Sequence, residues 1–280
     1  MKALVAGASG QLGLALVAQL GDRVAWSGGR TALDVRDPAA VAHLVREVRP
    51  DVVFNASAYN NVDGAETQIA EAMAVNAAGP GNLARAARDV GALIVHVSTD
   101  YVFDGAQSQP YGEQDCPHPL GVYGTSKLAG EHLVRNSGAE HLVVRTSGLF
   151  GAGGSRIKGG SFVERILARA RSGQALKVVS DQAFSPTYAP DLAAALLLLV
   201  EKHARGLVHV TNSGSCTWHG LAVEALRCAG LDTPVEEIHA RDLLSPAHRP
   251  PHSILSKERY ESFGLKALRP WSDAVKEFLS

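Results

Sequence analysis

The stretch Lys2-Ala-Leu-Val-Ala-Gly7-Ala-Ser-Gly10-Gln-Leu-Gly13 decides how this chain begins to fold. Its apolar first half predicts a buried β-strand, and the glycines spaced by three predict a tight turn into a helix. Glycine lets the backbone approach a pyrophosphate, and the helix N-terminus adds free N–H groups and a positive dipole end. We expect Gly7, Gly10 and Gly13 to bind a dinucleotide; the alternative is a tight turn without a ligand.

Apolar strands alternate with helices beyond this turn. The sequence predicts strands over residues 2–6, 23–26, 51–55 and 92–98. It predicts helices over residues 12–20, 38–49 and 67–90, with a break allowed near Gly79-Pro80-Gly81. This alternation predicts an α/β fold with a Rossmann-type, doubly wound parallel sheet.

The alternation loosens after Gly148, where the glycine-rich segments 151–155 and 158–160 indicate loops. We therefore expect a smaller C-terminal substrate-binding lobe beside the sheet. The NAD(P)-binding Rossmann domain is assigned residues 1–147 and about 176–212. The lobe is assigned residues 148–175 and about 213–280.

Composition excludes several classes of protein. The formal net charge is −1, which offers no electrostatic footprint for nucleic acid or an anionic membrane. No apolar run reaches the roughly 18–20 residues that span a bilayer. No metal-ligand spacing relates the histidines, so no metal site is expected (His96, His209 and His219). The cysteines likewise indicate reduced thiols, and we expect a cytoplasmic protein (Cys116, Cys216 and Cys228).

The end of the second predicted strand bears on the choice of cofactor. NAD sites commonly place an acidic residue there, on the ribose 2′-hydroxyl. This chain has Trp26-Ser-Gly-Gly-Arg30 instead, with no carboxylate before Asp34. Ser27 and Arg30 could hold a 2′-phosphate, so we expect NADPH, with NADH as the alternative. Arg30 as a solvated loop cation is the competing interpretation.

The string Tyr123-Gly-Thr-Ser-Lys127 places a phenol and an ammonium four residues apart, on one face of a helix. A nearby cation lowers the pKa of a phenol, which makes Tyr123 a better acid for protonating a carbonyl oxygen during reduction. Lys127 could also bond the nicotinamide ribose. Thr99 ends a predicted parallel strand and could bond the same substrate oxygen. A chance pair on a solvated helix is the alternative.

These motifs together resemble the extended short-chain dehydrogenase/reductase family. Further motifs in the family's order cover nearly the whole chain: Asn55-Ala-Ser-Ala58, Val97-Ser-Thr-Asp-Tyr101, Arg145-Thr-Ser147, Pro186-Thr-Tyr-Ala-Pro-Asp191 and Arg249-Pro250. The series is similar to the branch that reduces the C4 ketone of dTDP-4-dehydro-L-rhamnose to dTDP-L-rhamnose. Tyr101 stands where related dehydratases carry a catalytic glutamate, which argues against a dehydratase.

The resemblance implies roles for individual residues. Tyr123 would donate the proton, with Lys127 as its partner and Thr99 tuning the phenol. The sugar would lie against Thr99, Asp100 and Tyr101. The cofactor would be lined by Gly10, Gln11, Leu12, Asp34, Val35, Ala56, Ser57 and Ala58. From its own chemistry, Arg249 could clamp the substrate's diphosphate with two hydrogen bonds, although a plain surface arginine is an equal alternative.

One departure from the family pattern keeps other functions open. Gly148 stands where these reductases usually have a tryptophan against the sugar; Phe150 or Trp218 could compensate, although a core aromatic is the commoner role. A first alternative is a reductase or epimerase of another nucleotide sugar. A second is a non-catalytic NADP-binding regulatory subunit, like that of methionine adenosyltransferase. Homodimerisation is an expectation, and dependence on Mg²⁺ stays open.

Overall fold

A six-stranded parallel sheet forms the centre of the protein in a computed structural model that describes residues 1–153 and 160–280. The predicted loop segments 151–155 and 158–160 therefore lie partly outside the described residues. The strand order is β10-β5-β4-β3-β1-β2, with every neighbouring pair parallel. These strands span Ala3–Ala6 (β1), Val24–Gly28 (β2), Val52–Asn55 (β3), Leu93–Thr99 (β4), His141–Thr146 (β5) and Gly206–His209 (β10). The prediction of a doubly wound α/β fold is confirmed.

Helices cover both faces of this sheet, which is why β1 and β3 are buried at every position. The helices of the sheet are Gln11–Leu20 (α1), Pro38–Val48 (α2), Val62–Ala65 (α3), Ile69–Met73 (α4), Gly79–Val90 (α5), Val122–Arg135 (α6) and Ala189–Glu201 (α8). On one face α1 packs against α8, and on the other α2, α5 and α6 follow one another. Separate apolar clusters fill the two faces.

At the break expected in the helix over residues 67–90, the chain stays helical but changes from α-helical to π-helical geometry. A π-helical turn, Ala74–Ala78, joins α4 to α5 without interruption. Pro80 has no N–H to donate to the carbonyl of Asn76, four residues earlier. That carbonyl lies against Gly130 of α6, where a side chain would overlap it. The wider turn therefore allows the helix to continue and brings α6 close.

Most of the remaining elements build a lobe around a third apolar cluster, whereas α10, described last, packs with the cluster of the central sheet. Its strands are Leu149–Phe150 (β6), Leu176–Val179 (β7), Ala183–Phe184 (β8), Thr187–Tyr188 (β9), Cys216–Thr217 (β11) and Val235–Ile238 (β12). Its helices Phe162–Arg171 (α7), Trp218–Cys228 (α9) and Trp271–Leu279 (α11) pack together, while Glu258–Ser262 (α10) lies against β10.

The segment from residue 176 to 188 differs from the domain division expected above. It pairs outside the central sheet, through β7 with β12, β8 with β11 and β9 with β6. The chain rejoins the sheet with α8 and β10. We therefore propose that the chain returns from the lobe to the Rossmann domain at about Ala189, and not at about residue 176.

Candidate active site

The glycine turn between β1 and α1 contains two kinds of glycine. Gly7 has a φ of +84°, and a Cβ there would lie 2.5 Å from the amide nitrogen of Ser57. A Cβ on Gly13 would lie 2.6 Å from the Cα of Ala8. Gly10 has an ordinary φ of −85°, and its nearest obstacle is 3.5 Å away. The packing of the turn requires Gly7 and Gly13, whereas Gly10 leaves space beside the N-terminus of α1.

That space suits a pyrophosphate. Among the described residues no side chain caps α1, so the N–H groups of Gln11 and Leu12 are available to a ligand. Ala56 and Ser57, at the end of β3, lie directly against Gly7. Asn55 orders this loop because its side-chain oxygen accepts hydrogen bonds from the Ser57 amide (3.1 Å) and hydroxyl (2.6 Å). The glycine turn and the segment Ala56–Ser57, both predicted to bind the cofactor, therefore come together at the carboxyl ends of β1 and β3.

The Gly10→Ala variant is expected to weaken NADPH binding about tenfold, ~1.4 kcal/mol, with little change in melting temperature. The methyl group fits the protein but occupies the space that a pyrophosphate would approach. Gly13→Ala is the matched comparison, because its methyl group overlaps the turn and should destabilise folding by about 1–3 kcal/mol. Fluorescence titration with NADPH and thermal unfolding measure both. Unchanged affinity in folded Gly10→Ala would contradict a pyrophosphate at this turn.

Charged side chains after β2 form an alternating network. Arg30 is 67% exposed and lies 3.2 Å from Glu71, whose second oxygen accepts from Arg36 at 2.6 Å. Arg36 also holds the Asp34 carboxylate and lowers its pKa to about 2. Ser27 is exposed at the end of β2. The two acceptors in this network, Asp34 and Glu71, balance its two cations.

Val35 is buried, unlike Ser27 and Arg30, the exposed residues that were also predicted to bind the cofactor after β2. Its side chain is buried beneath Gly79, and its carbonyl accepts a hydrogen bond from Asn82 at 3.0 Å. The segment is thus fixed by α5. Sequence reasoning missed Arg36 and Glu71; Arg36 could have been found from its closeness to Asp34, but the approach of Glu71 depends on the fold.

Tyr123 and Lys127 lie on the first two turns of α6, as predicted. The Lys127 ammonium donates to the carbonyl of Val97 at 2.6 Å, and burial lowers its pKa to about 8, with Glu131 opposing. Burial raises the pKa of Tyr123 to about 12; the Thr99 hydrogen bond lowers it and Asp100 raises it. The expectation that Lys127 lowers the phenol pKa is therefore not met in this structure. The ammonium faces Val97, and burial outweighs the other effects on the phenol.

The Asp100 carboxylate is buried and accepts from three hydroxyl groups, on Thr99 (3.0 Å), Ser147 (2.7 Å) and Ser253 (2.6 Å). These hydrogen bonds join β4, β5 and a C-terminal segment. That Thr99, Asp100 and Tyr101 lie against the sugar stays a prediction. Tyr101 does reach the site: its ring meets that of Tyr123 edge-on at 5.9 Å.

Two contacts that sequence reasoning missed position α6. Glu66 accepts a hydrogen bond from the amide of Val122 at the start of the helix, at 2.8 Å. Asn76 donates to the hydroxyl of Ser126 at 3.0 Å, and that hydroxyl donates to the carbonyl of Tyr123 at 2.8 Å. A carboxylate at a helix N-terminus is favourable. Both contacts join residues far apart in the chain, and no local pattern indicates them.

Arg249 is already engaged. Its guanidinium makes two hydrogen bonds of 2.9 Å to the carboxylate of Asp63, and it also contacts Ser245 and the phenol of Tyr101. Arg249 thus ties the C-terminal segment to α3. A substrate diphosphate would have to compete with Asp63 for this residue.

The surroundings of Gly148 explain the glycine there. Its φ is +52°, and a Cβ would lie 2.5 Å from Cδ2 of Phe184. Phe184 in turn stacks on Trp218 at 4.1 Å. Phe150 is buried and stacks on Tyr188. Of the two aromatic residues considered as compensation for a missing tryptophan, only Trp218 belongs to the aromatic stack over Gly148.

Residues 1–153 and 160–280 contain no group of three or more histidine, cysteine, aspartate or glutamate side chains arranged to hold a metal ion. None of the helices in that part of the chain has the length and apolar character needed to cross a membrane.

Comparison with known proteins shows that this chain is similar to dTDP-4-dehydrorhamnose reductases over nearly its whole length. The family model described as "RmlD substrate binding domain" matches residues 1–280. The dTDP-4-dehydrorhamnose reductase of Streptomyces griseus is 41% identical, covering 98% of this chain and 91% of that protein. The spore coat polysaccharide biosynthesis protein SpsK of Bacillus subtilis is 38% identical, covering 99% and 96%. A solved dTDP-4-dehydrorhamnose reductase from Bacillus anthracis, in complex with NADP, superposes with a TM-score of 0.94 at 33% identity, covering 99% of each chain.

Proposed function

This chain belongs to the RmlD substrate binding domain family, and on that premise we propose that it is a dTDP-4-dehydrorhamnose reductase. It would use NADPH to reduce the C4 ketone of dTDP-4-dehydro-L-rhamnose to dTDP-L-rhamnose. Relatives of that name cover nearly the whole chain, and the Bacillus anthracis relative binds NADP. The observation that carries the proposal is the grouping of Tyr123, Thr99 and buried Lys127 at one sheet edge, in line with the glycine turn.

The residues divide the work of ketone reduction. NADPH, when bound, supplies the hydride that adds to C4 of the sugar. The phenol of Tyr123, with a pKa of about 12, keeps its proton at neutral pH and can donate it to the oxygen that becomes negative. The Thr99 hydroxyl donates its proton to Asp100 and is hydrogen-bonded to the Tyr123 phenol, so it can position that phenol. The Lys127 ammonium is held at Val97 and can bond the nicotinamide ribose.

NADPH absorbance, followed with enzymatically generated dTDP-4-dehydro-L-rhamnose, tests the proposal. We expect oxidation of NADPH and formation of dTDP-L-rhamnose. Preferred turnover of a UDP- or GDP-linked 4-keto sugar would instead favour the reductase or epimerase of another nucleotide sugar. NADPH binding without turnover of any of these sugars, together with a stable protein partner, would favour the regulatory subunit.

The Arg30→Ala variant is expected to lower the preference for NADPH over NADH about tenfold. Removing this exposed guanidinium takes away a cation that can pair with the 2′-phosphate, while NADH lacks that phosphate. Arg46→Ala on α2 removes the same charge from an exposed helix position and serves as the control. Binding constants for both cofactors measure the effect. An unchanged preference would remove Arg30 from the cofactor site.

NADPH affinity is expected to fall as pH rises through about 8. Lys127 binds the ribose as an ammonium, and burial lowers its pKa to about 8, so the bonding form is present below that pH and lost above it. Tyr123, with a pKa of about 12, contributes no change in this range. Titrations from about pH 6.5 to about 9.5 should show affinity falling through about pH 8 and levelling off once the loss reaches the worth of one charged hydrogen bond, about 1.5–3 kcal/mol.

The Lys127→Arg variant is the control for this pH dependence, since guanidinium stays charged throughout the range. Its affinity should be weaker than that of the wild type but nearly independent of pH. A wild-type affinity that stays constant between about pH 7 and about 9.5 would contradict the role of Lys127.

A further inference from the structure

We propose that Asp100 is a positioning residue of the reduction: its carboxylate takes the proton of the Thr99 hydroxyl, so that Thr99 can only accept a hydrogen bond from the phenol of Tyr123. This inference rests on the proposed function and adds a residue that acts through Thr99. It follows from the way in which each hydrogen-bonding group of the Thr99 hydroxyl is used.

The hydroxyl group of Thr99 has one proton and two lone pairs. It donates to Oδ1 of Asp100 at 3.0 Å and accepts from the amide of Tyr101 at 3.2 Å. The phenol of Tyr123 is the third hydrogen-bonding partner of this hydroxyl. Because the proton and one lone pair are already used, only the second lone pair is left for Tyr123. The phenol is therefore the donor in that contact.

The carboxylate of Asp100 is held in place at its other oxygen. Oδ2 accepts from the hydroxyl groups of Ser147 at 2.7 Å and Ser253 at 2.6 Å. Ser147 follows β5 and Ser253 belongs to the C-terminal segment, so two separate parts of the chain hold Oδ2 and leave Oδ1 to Thr99. None of these four residues is more than 7% exposed. Because water is excluded, the direction of the Thr99 proton is fixed by Asp100.

The charge of Asp100 acts on Tyr123 in the same direction as the orientation of the Thr99 hydroxyl. Burial raises the pKa of Asp100, and the three hydroxyl donors oppose that rise because they bind the ionised form. The pKa of Tyr123 is raised to about 12, first by burial and also by the charge of Asp100. A phenolate at Tyr123 would therefore face a negative charge without a donor from Thr99. Both effects keep the proton on the phenol until the ketone oxygen accepts it.

Several other titratable side chains lie near Tyr123 or its neighbour Tyr101, namely Lys127, Glu66, His248 and Arg249. A substitution at Asp100 leaves all of them in the chain. Lys127, with a pKa of about 8, titrates in the wild type and in the variants alike. A difference between two proteins that differ only at Asp100 therefore reports on Asp100 and on the hydroxyl that it holds.

The pKa of Tyr123 in the Asp100→Ala variant tests this role directly. NMR of isotope-labelled tyrosine Cζ reports the ionisation of a phenol, and comparison with Tyr123→Phe assigns the signal. We expect the pKa to fall by about 1–2, because the negative charge is lost and the Thr99 proton is free to turn to the phenolate. Asp100→Asn should give a smaller fall, since its amide oxygen can still accept from Thr99 while the charge is gone.

Thr99→Val separates the action through Thr99 from the effect of the charge. If Asp100 acts through Thr99, Asp100→Ala should lower the pKa of Tyr123 much less in the Thr99→Val background than in the wild type. An equal fall in both backgrounds would leave only the charge and overturn the positioning role. Thr99→Val alone keeps Asp100, so this measurement holds even where Asp100→Ala fails to fold. Loss of an acceptor should lower the pKa of Tyr123, whereas a rise would mean that Thr99 donates to the phenolate and would overturn the inference.

The pH dependence of kcat at saturating NADPH gives the functional readout. Reduction needs the protonated phenol, so kcat is retained below the pKa of Tyr123 and lost above it. We expect the alkaline loss in Asp100→Ala at a pH about 1–2 lower than in the wild type. Ser147→Ala is the matched control, because it removes one donor from Oδ2 and keeps the contact between Asp100 and Thr99. It should lower the melting temperature by about 2–4 °C without moving the alkaline loss of kcat.

Two further results would overturn the positioning role of Asp100 and leave the proposed function standing. The first is a folded Asp100→Ala protein in which the pKa of Tyr123 equals the wild-type value. The second is a raised KM for dTDP-4-dehydro-L-rhamnose with an unchanged alkaline loss of kcat, which would place Asp100 at the sugar instead. A wild type that turns over none of the nucleotide sugars overturns the proposed function. The NMR titration needs no substrate, so the two failures are distinguishable.

Discussion

Replacing Tyr123 with phenylalanine is expected to lower kcat for ketone reduction by about 10²–10⁴-fold, the usual contribution of a positioned general acid. The change removes one oxygen and leaves the ring to pack against Tyr101. Because the phenol keeps its proton at neutral pH, its loss should affect the chemical step and not the binding of NADPH. Steady-state turnover and NADPH titration measure the two separately.

Tyr101→Phe is the control, since its phenol lies beside that of Tyr123 and burial also raises its pKa. We expect a small effect on kcat, because the Tyr101 phenol contacts Arg249, whereas the Tyr123 phenol contacts Thr99. If Tyr101→Phe abolishes turnover and Tyr123→Phe retains it, the proton donor is Tyr101. If both retain turnover, neither phenol is the acid.

The Arg145→Met variant is expected to destabilise the fold by about 3–5 kcal/mol, the typical cost of breaking a buried ion pair. Arg145 and Glu131 are nearly inaccessible and joined by two hydrogen bonds, of 2.9 and 2.7 Å. Ser98 donates to the same carboxylate at 2.5 Å, and the guanidinium lies over Phe103. Without Arg145, Glu131 would stay buried without its cation.

Urea unfolding measures this loss, and two comparisons control it. Glu236→Gln breaks the exposed pair with Lys177 and should cost at most about 1 kcal/mol. Arg145→Met combined with Glu131→Leu should recover much of the stability, because no buried charge is left. A loss below about 1 kcal/mol in Arg145→Met would mean that the carboxyl of Glu131 finds another partner.

This ion pair also links stability to the site. Glu131 lies one turn after Lys127 on α6, and its charge favours the ammonium against the effect of burial. Arg145 belongs to β5, two residues before Ser147 and three before Gly148. The same buried contact therefore fixes α6, which carries Tyr123 and Lys127, against β5, over whose end Phe184 lies.

The central fold and the shared helix face of Tyr123 and Lys127 were predictable because their signals are local. A strand, a glycine turn and a helix occupy the first 20 residues, and the steric need for Gly13 arises within that stretch, whereas the contacts of Gly7 are with Ala56 and Ser57 at the end of β3. Tyr123 and Lys127 share a face because helical geometry depends only on spacing. The parallel direction of the strands was predictable because the helices between them are long enough to cross over the sheet.

The charges around the cofactor edge were predictable only in part. The sequence indicates Arg30 and Asp34 as charged residues of the segment after β2. It does not indicate their ion-pair partners: Arg30 pairs with Glu71, and Asp34 pairs with Arg36. Glu71 comes from α4 and reaches the β2 loop through the packing of the helices. Sequence patterns identify the charged residue and leave its partner open.

Residue types and their local spacing thus establish the glycine turn, the parallel sheet and the shared helix face of Tyr123 and Lys127, and they predict that the turn binds a dinucleotide. The tertiary structure alone decides that burial raises the phenol pKa, that Asp100 faces inward and that Arg249 is held by Asp63. It alone also places Phe184 over Gly148. These features depend on dehydration and on contacts between residues up to 186 positions apart. Such contacts form only when the lobe closes against the sheet, so short-range periodicity carries no information about them.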